Sequence, residues 1–152
     1  MKRVVACVFA LAMILTLAAC GGSEKKVDIP ALFAELLKIA PEMILLDDAD
    51  MRLNLLGIQE DDCVQVFTAV CADGLRTDEI WLIEAKDAAA LERIQTLAEN
   101  RLFAKGEESI TYSPEQYAVV QKAETVTEGL YFALLVSPDV DAMKAAVESA
   151  MK

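Results

Sequence analysis

The chain has 152 residues, of which 55% are hydrophobic and 26% charged, and it carries a formal net charge of −11 with no histidine. Acidity of this degree excludes the basic footprint of a nucleic-acid-binding protein. The missing histidine removes the commonest general base, the commonest zinc ligand and any nucleophile activated by an imidazole.

Lys2 and Arg3 open the chain, an apolar run follows from Val4 to Leu17, and small residues precede Cys20. This is the layout of a secretion signal. The run is shorter than the roughly 20 residues that a permanent membrane span takes. Leu17-Ala18-Ala19-Cys20, followed by Gly21-Gly22-Ser23, resembles the lipobox of bacterial lipoproteins. The resemblance implies removal of residues 1–19 as a signal peptide, diacylglycerol on the Cys20 sulfur with palmitate-type acyl chains, and a cell-membrane address on the extracytoplasmic face. Two acyl chains anchor where one does not, because each buried methylene contributes ~0.8 kcal/mol. Residues 20–27 then form the lipidated cysteine and a polar tether of at most ~25 Å, leading to a single domain over residues 28–152. Without Lys2 and Arg3 the mature body is still more acidic, so it is expected to stand off an anionic bilayer.

Asp28 reads as an N-cap, with Pro30 in the first turn and Leu32, Phe33, Leu36, Leu37 and Ala40 at helical spacing. Pro41 closes that helix. Residues 42–62 carry no clear period and are expected to form short helical turns or irregular packing. Cys63 to Cys71 reads as a first strand, Ala72-Asp73-Gly74 as a turn, and Glu79 to Ala85 as a second strand paired antiparallel with the first. Asp87 caps a helix whose apolar stripe is Leu91, Ile94, Leu97, Ala98 and Leu102, with Glu92, Arg93, Glu99 and Arg101 facing water. It runs at least to Lys105. Ser113-Pro114-Glu115-Gln116 has the serine and the third-position glutamine of a capping box, which places a short helical turn at 114–120. A third strand falls near Lys122 to Val126, and Glu128-Gly129 turns the chain into a strongly apolar fourth, Leu130 to Val136, expected to be central or covered on both faces. Ser137-Pro138 opens a last helix that buries Met143, Ala146, Val147, Ala150 and Met151.

The order is an N-terminal helix and then β-β-α twice. It predicts an α+β fold: a four-stranded, mainly antiparallel sheet with its helices packed on one face. Glu79-Ile80-Trp81-Leu82-Ile83-Glu84-Ala85-Lys86-Asp87, Pro114-Glu115-Gln116-Tyr117 and Gly129 to Ser137 resemble a family of small lipoproteins of clostridial Gram-positive bacteria, domain of unknown function 4358. The resemblance implies the address and the fold; it assigns no activity.

The thiols of the mature domain are Cys63 and Cys71. One strand separates them by about 26 Å, whereas a disulfide needs α-carbons within roughly 7 Å. Two free thiols on one face are expected, acting as small hydrophobes. Asp47, Asp48 and Asp50 suggest calcium, but an EF-hand counted from Asp48 requires glycine where Leu53 stands and glutamate where Gln59 stands. A solvated acidic loop is the expectation, as it is for Glu60-Asp61-Asp62. Trp81, Tyr117 and Tyr131 would make a binding platform if one sheet face were bare, and core packing otherwise. No catalytic residue, metal ligand, cofactor or nucleic-acid partner is expected. Cys20 is the one site residue, as the point of lipid attachment. The functional expectation is a membrane-anchored, non-catalytic module that binds a protein, peptide or small solute. The alternatives are a carboxylate-dependent hydrolase acting on wall sugar or peptide, and a structural envelope lipoprotein.

Overall fold

The computed structural model describes residues 26–152. The signal segment, Cys20 and most of the tether lie outside the described residues. The elements are α1 (Ile29–Ile39), β1 (Met43–Leu45), α2 (Ala49–Leu56), a 3-10 turn (Glu60–Asp62), β2 (Cys63–Cys71), β3 (Glu79–Ala85), α3 (Ala88–Tyr112), α4 (Pro114–Gln121), β4 (Glu124–Glu128), β5 (Tyr131–Val136) and α5 (Val140–Met151). The five strands form one antiparallel sheet in the order β1-β2-β3-β5-β4.

The fold class stands as α+β, with two corrections. The sheet has five strands, because Met43–Leu45 adds a three-residue edge against Ala69–Cys71. This strand is too short to show a period, and Ile44 and Leu45 are exposed. The helices also cover both faces. Along β3 and β5 consecutive side chains point to opposite sides, and both parities are apolar. Ile80, Leu82, Ala133 and Leu135 meet Leu32 and Leu36 of α1 and Met143 and Val147 of α5. Trp81, Ile83, Phe132 and Leu134 meet Ala90, Ile94 and Ala98 of α3, with Leu56, Ile58 and Val120 at the margins. Two apolar faces require two covers, so the architecture is helices, sheet, helices. Fully burying one such side chain contributes about 1.5–3 kcal/mol. Both layers therefore contribute substantially to stability.

Local chemistry sets the element ends. The carboxylates of Asp28 and Asp87 accept from the backbone N–H of Ala31 and Ala90, at 3.0 and 2.8 Å. Ser113 ends α3 and starts α4, its Oγ accepting from Gln116 N at 3.3 Å. Gln116 does not return the bond to Ser113, as a capping box would have it; its Oε1 accepts from Thr77 instead. Asp139, rather than Ser137-Pro138, stands at the N-cap of α5, with Ser137 Oγ accepting from Asp139 N at 3.1 Å. The helix that Asp87 caps continues through Gly106 to Tyr112.

A bulge between Cys63 and Gln65 inserts one extra residue into β2. Each such insertion reverses the alternation beyond it. Cys63 therefore packs toward α3 with Val66 and Val70, while Cys71 falls on the face of Ala69, toward α1. The expectation of two thiols on one face is corrected; both are free. At the far edge, β4 exposes Thr125, Thr127 and Glu128, and Glu124 is held by Lys144 of α5 at 2.8 Å.

Candidate functional site

Glu79 begins β3 two residues before Trp81, so both side chains point toward α3. Its carboxylate is fully buried. On α3, Arg101, Lys105 and Ser109 recur every fourth residue and line up on one side of the helix. Arg101 donates to both Glu79 oxygens, with Nε at 3.1 Å from each and Nη2 at 2.9 Å from Oε2. Lys105 Nζ adds an ion pair to Oε2 at 2.9 Å and donates to the Thr77 carbonyl at 3.0 Å. Trp81 Nε1 donates to Oε1 at 2.8 Å. Every buried polar side-chain atom among the described residues has a partner. This matters because an unpaired charge removed from water is very costly. Arg101, expected on the wet side of the helix, turns inward.

The segment before Glu79 is clamped from two directions. Asp78 is 2% exposed and receives Arg76 through both oxygens, at 2.8 and 3.2 Å, while Arg76 also pairs with Glu42. Gln116 Oε1 accepts from Thr77 N at 2.9 Å and from Thr77 Oγ1 at 3.0 Å. Between this loop and the corner where α3 meets α4 lies a cleft of about 290 Å³. Lys105, Thr77 and Gln116 supply polar wall, and Leu75 and Tyr112, 85% and 82% exposed, stand at its mouth.

A second ion cluster sits near the start of α3. Asp62 is buried and receives Arg93 at 2.6 and 2.9 Å, with Lys86 at 3.4 Å. The hydrogen bond from Arg93 holds its carboxyl below the usual carboxylate range against the opposing effect of burial. The expectation of a solvated acidic turn at 60–62 is corrected for this residue. Burial, with Glu60 and Asp62 nearby, pushes the Cys63 thiol up to about 11. It is thus a poor nucleophile at neutral pH.

Trp81 and Tyr131 are buried and Tyr117 is half-buried. Trp81 and Tyr131 are therefore core, Tyr117 stays half-buried on α4, and helices cover both sheet faces. Asp48 caps α2, accepting from Met51 N at 3.0 Å. Among the described residues no group of three or more acidic or cysteine side chains is arranged around a metal position. Cys20 lies outside the described residues. The cleft was not foreseen, although Glu79 at the spacing of Trp81 and the four-residue recurrence of Arg101, Lys105 and Ser109 were the available signals.

A family model described as a domain of unknown function (DUF4358) matches residues 40–137. That span contains all five strands, α2 to α4 and the cleft, while α1 and α5 flank it. No curated protein and no solved structure matches the chain.

Proposed function

The chain belongs to the family described as a domain of unknown function (DUF4358), and we propose that it is an extracytoplasmic lipoprotein, held to the cell membrane through diacylglycerol on Cys20, whose body is a non-catalytic binding module with the cleft as its site. The observation that carries this reading is the separation of tether and cleft. Val27 N donates to Tyr131 Oη at 3.4 Å, and Lys26, Val27 and Asp28 lie beside Gln65, so the chain enters the domain where β2 and β5 begin. The cleft lies at the other end of the sheet, where β3 begins. The seven residues of β3 set the two apart by roughly 20 Å. A short tether at one end presents the opposite end outward.

The buried carboxylates favour binding over hydrolysis. A general acid needs a carboxyl that holds its proton, and a guanidinium or ammonium partner stabilises the anion instead. Arg93 is such a partner for Asp62 and keeps its carboxyl below the usual carboxylate range, so Asp62 does not serve as an acid. Asp78 and Glu79 are engaged by Arg76 and by Arg101 and Lys105.

Mass spectrometry of the N-terminal peptide from protein purified out of its native membranes tests the anchor. A diacylglyceryl thioether on Cys20 as first residue is expected. A chain that retains residues 1–19, or a bare Cys20 thiol, overturns the anchored reading.

A further inference from the structure

We infer that the cleft takes a ligand bearing a carboxylate beside an apolar side chain, the chemistry shared by a free hydrophobic amino acid and the C-terminal residue of a peptide. This rests on the reading of the cleft as a binding site. Three features of the wall carry it. Two cations, Arg101 and Lys105, converge on the single carboxylate of Glu79, leaving one positive charge in excess at the floor. An ammonium has three N–H donors. Lys105 gives one to the Thr77 carbonyl and stands in an ion pair with Glu79, so it keeps donor capacity toward the cleft it lines, its side chain being 12% exposed. Gln116 adds a primary amide whose oxygen is occupied by Thr77 N and Oγ1, so the group it can still offer is the donating Nε2.

The floor therefore presents donors and one positive charge beyond that of Glu79, which suits a carboxylate. Glu108 on the rim and the neighbouring group of Glu42, Arg76 and Asp78, one negative charge in excess, keep the site as a whole from being cationic. Leu75 and Tyr112 at the mouth match an apolar side chain, since a mostly exposed leucine and tyrosine gain by burial against it. Glu108, exposed on the rim and in no ion pair among the described residues, sets the site against phosphate and other polyanions. It would also accept a free amine.

The probes are N-acetyl-leucine, N-acetyl-leucinamide and leucine, titrated into the full-length protein and followed by amide chemical shifts. The acetylated carboxylate is expected to bind roughly tenfold or more tightly than its amide, the difference a charged hydrogen bond makes, with shifts at Thr77, Lys105 and Tyr112. Tighter binding of leucine than of N-acetyl-leucine identifies a free amino acid as the ligand; the reverse order identifies a peptide end. Lys105→Gln should erase the preference for carboxylate over amide. Because this change also deprives Glu79 of a partner, Leu75→Ser at the exposed rim provides a second variant, weakening both acetylated probes alike. Equal binding of carboxylate and amide overturns the ligand class while leaving a binding cleft. No binding of any probe, or shifts confined to another surface, overturns the inference and leaves the anchor to its own test.

Discussion

Helix α3 is tied down by ion clusters at two points, through Arg93 to Asp62 in the 3-10 turn before β2 and through Arg101 and Lys105 to Glu79 of β3, and the two differ in how much water reaches them. At Asp62 the cations are half in solvent, with Arg93 53% and Lys86 42% exposed. At Glu79 the carboxylate is sealed, Arg101 is 31% and Lys105 12% exposed, and the tryptophan N–H fills a further acceptor position. Water screens the first cluster and lets its members part cheaply. The second holds charge where separation exposes an unpaired ion to a low dielectric. Lys105 also lines the cleft, so in this molecule the more enclosed ion cluster and the candidate site share a side chain.

This contrast predicts a graded series. Glu79→Gln leaves Arg101 and Lys105 facing each other without a counter-charge and should lower stability by about 3 kcal/mol, read as a shift in the urea midpoint at unchanged slope. A loss below about 1 kcal/mol would remove the distinction between the two clusters. Asp62→Asn should cost about 1 kcal/mol at neutral pH, as for other partly exposed pairs. Its sign with pH follows from the lowered folded-state value. The contribution of Asp62 is complete above its ordinary value of 3.8 and is lost as pH falls through the lower value in the folded state. Acid unfolding of the wild type below that pH should thus include a component absent from the variant. The smallest expected effect lies between the two clusters and the C-terminus of α3. A methyl group at Gly106 would stand 3.9 Å from the Tyr117 ring, in ordinary contact. Gly106→Ala should therefore stabilise the helix by about 0.5–1 kcal/mol, visible as a small rise in Tm, with both ion clusters unaffected.

Those features that depend on local chemistry were legible in the sequence. β2 and β3 begin and end where alternation and flanking turn residues place them, and Asp28, Asp87 and Ser113 cap the helices they precede. Features that depend on what lies opposite were not. A strand apolar at both parities, such as Tyr131–Val136, already implies two covering layers; the expected single helical layer conflicted with that. Arg101 at a surface-like helix position is indistinguishable from a solvated residue until Glu79 stands across from it. The bulge at Cys63 is set by pairing with Ala85 and Glu84, which no spacing within β2 reveals. Met43–Leu45 is too short for periodicity to register.

The β4 margin has a consequence for the behaviour of neighbouring molecules. An open strand offers its backbone to any other chain in need of one. In a symmetric antiparallel meeting of two copies through β4, centred on Val126, Glu124 of each would confront Glu128 of the other, and like charges directly opposite disfavour such pairing. Where many copies share a confined area, the β4 margin in this register resists pairing with its own copy.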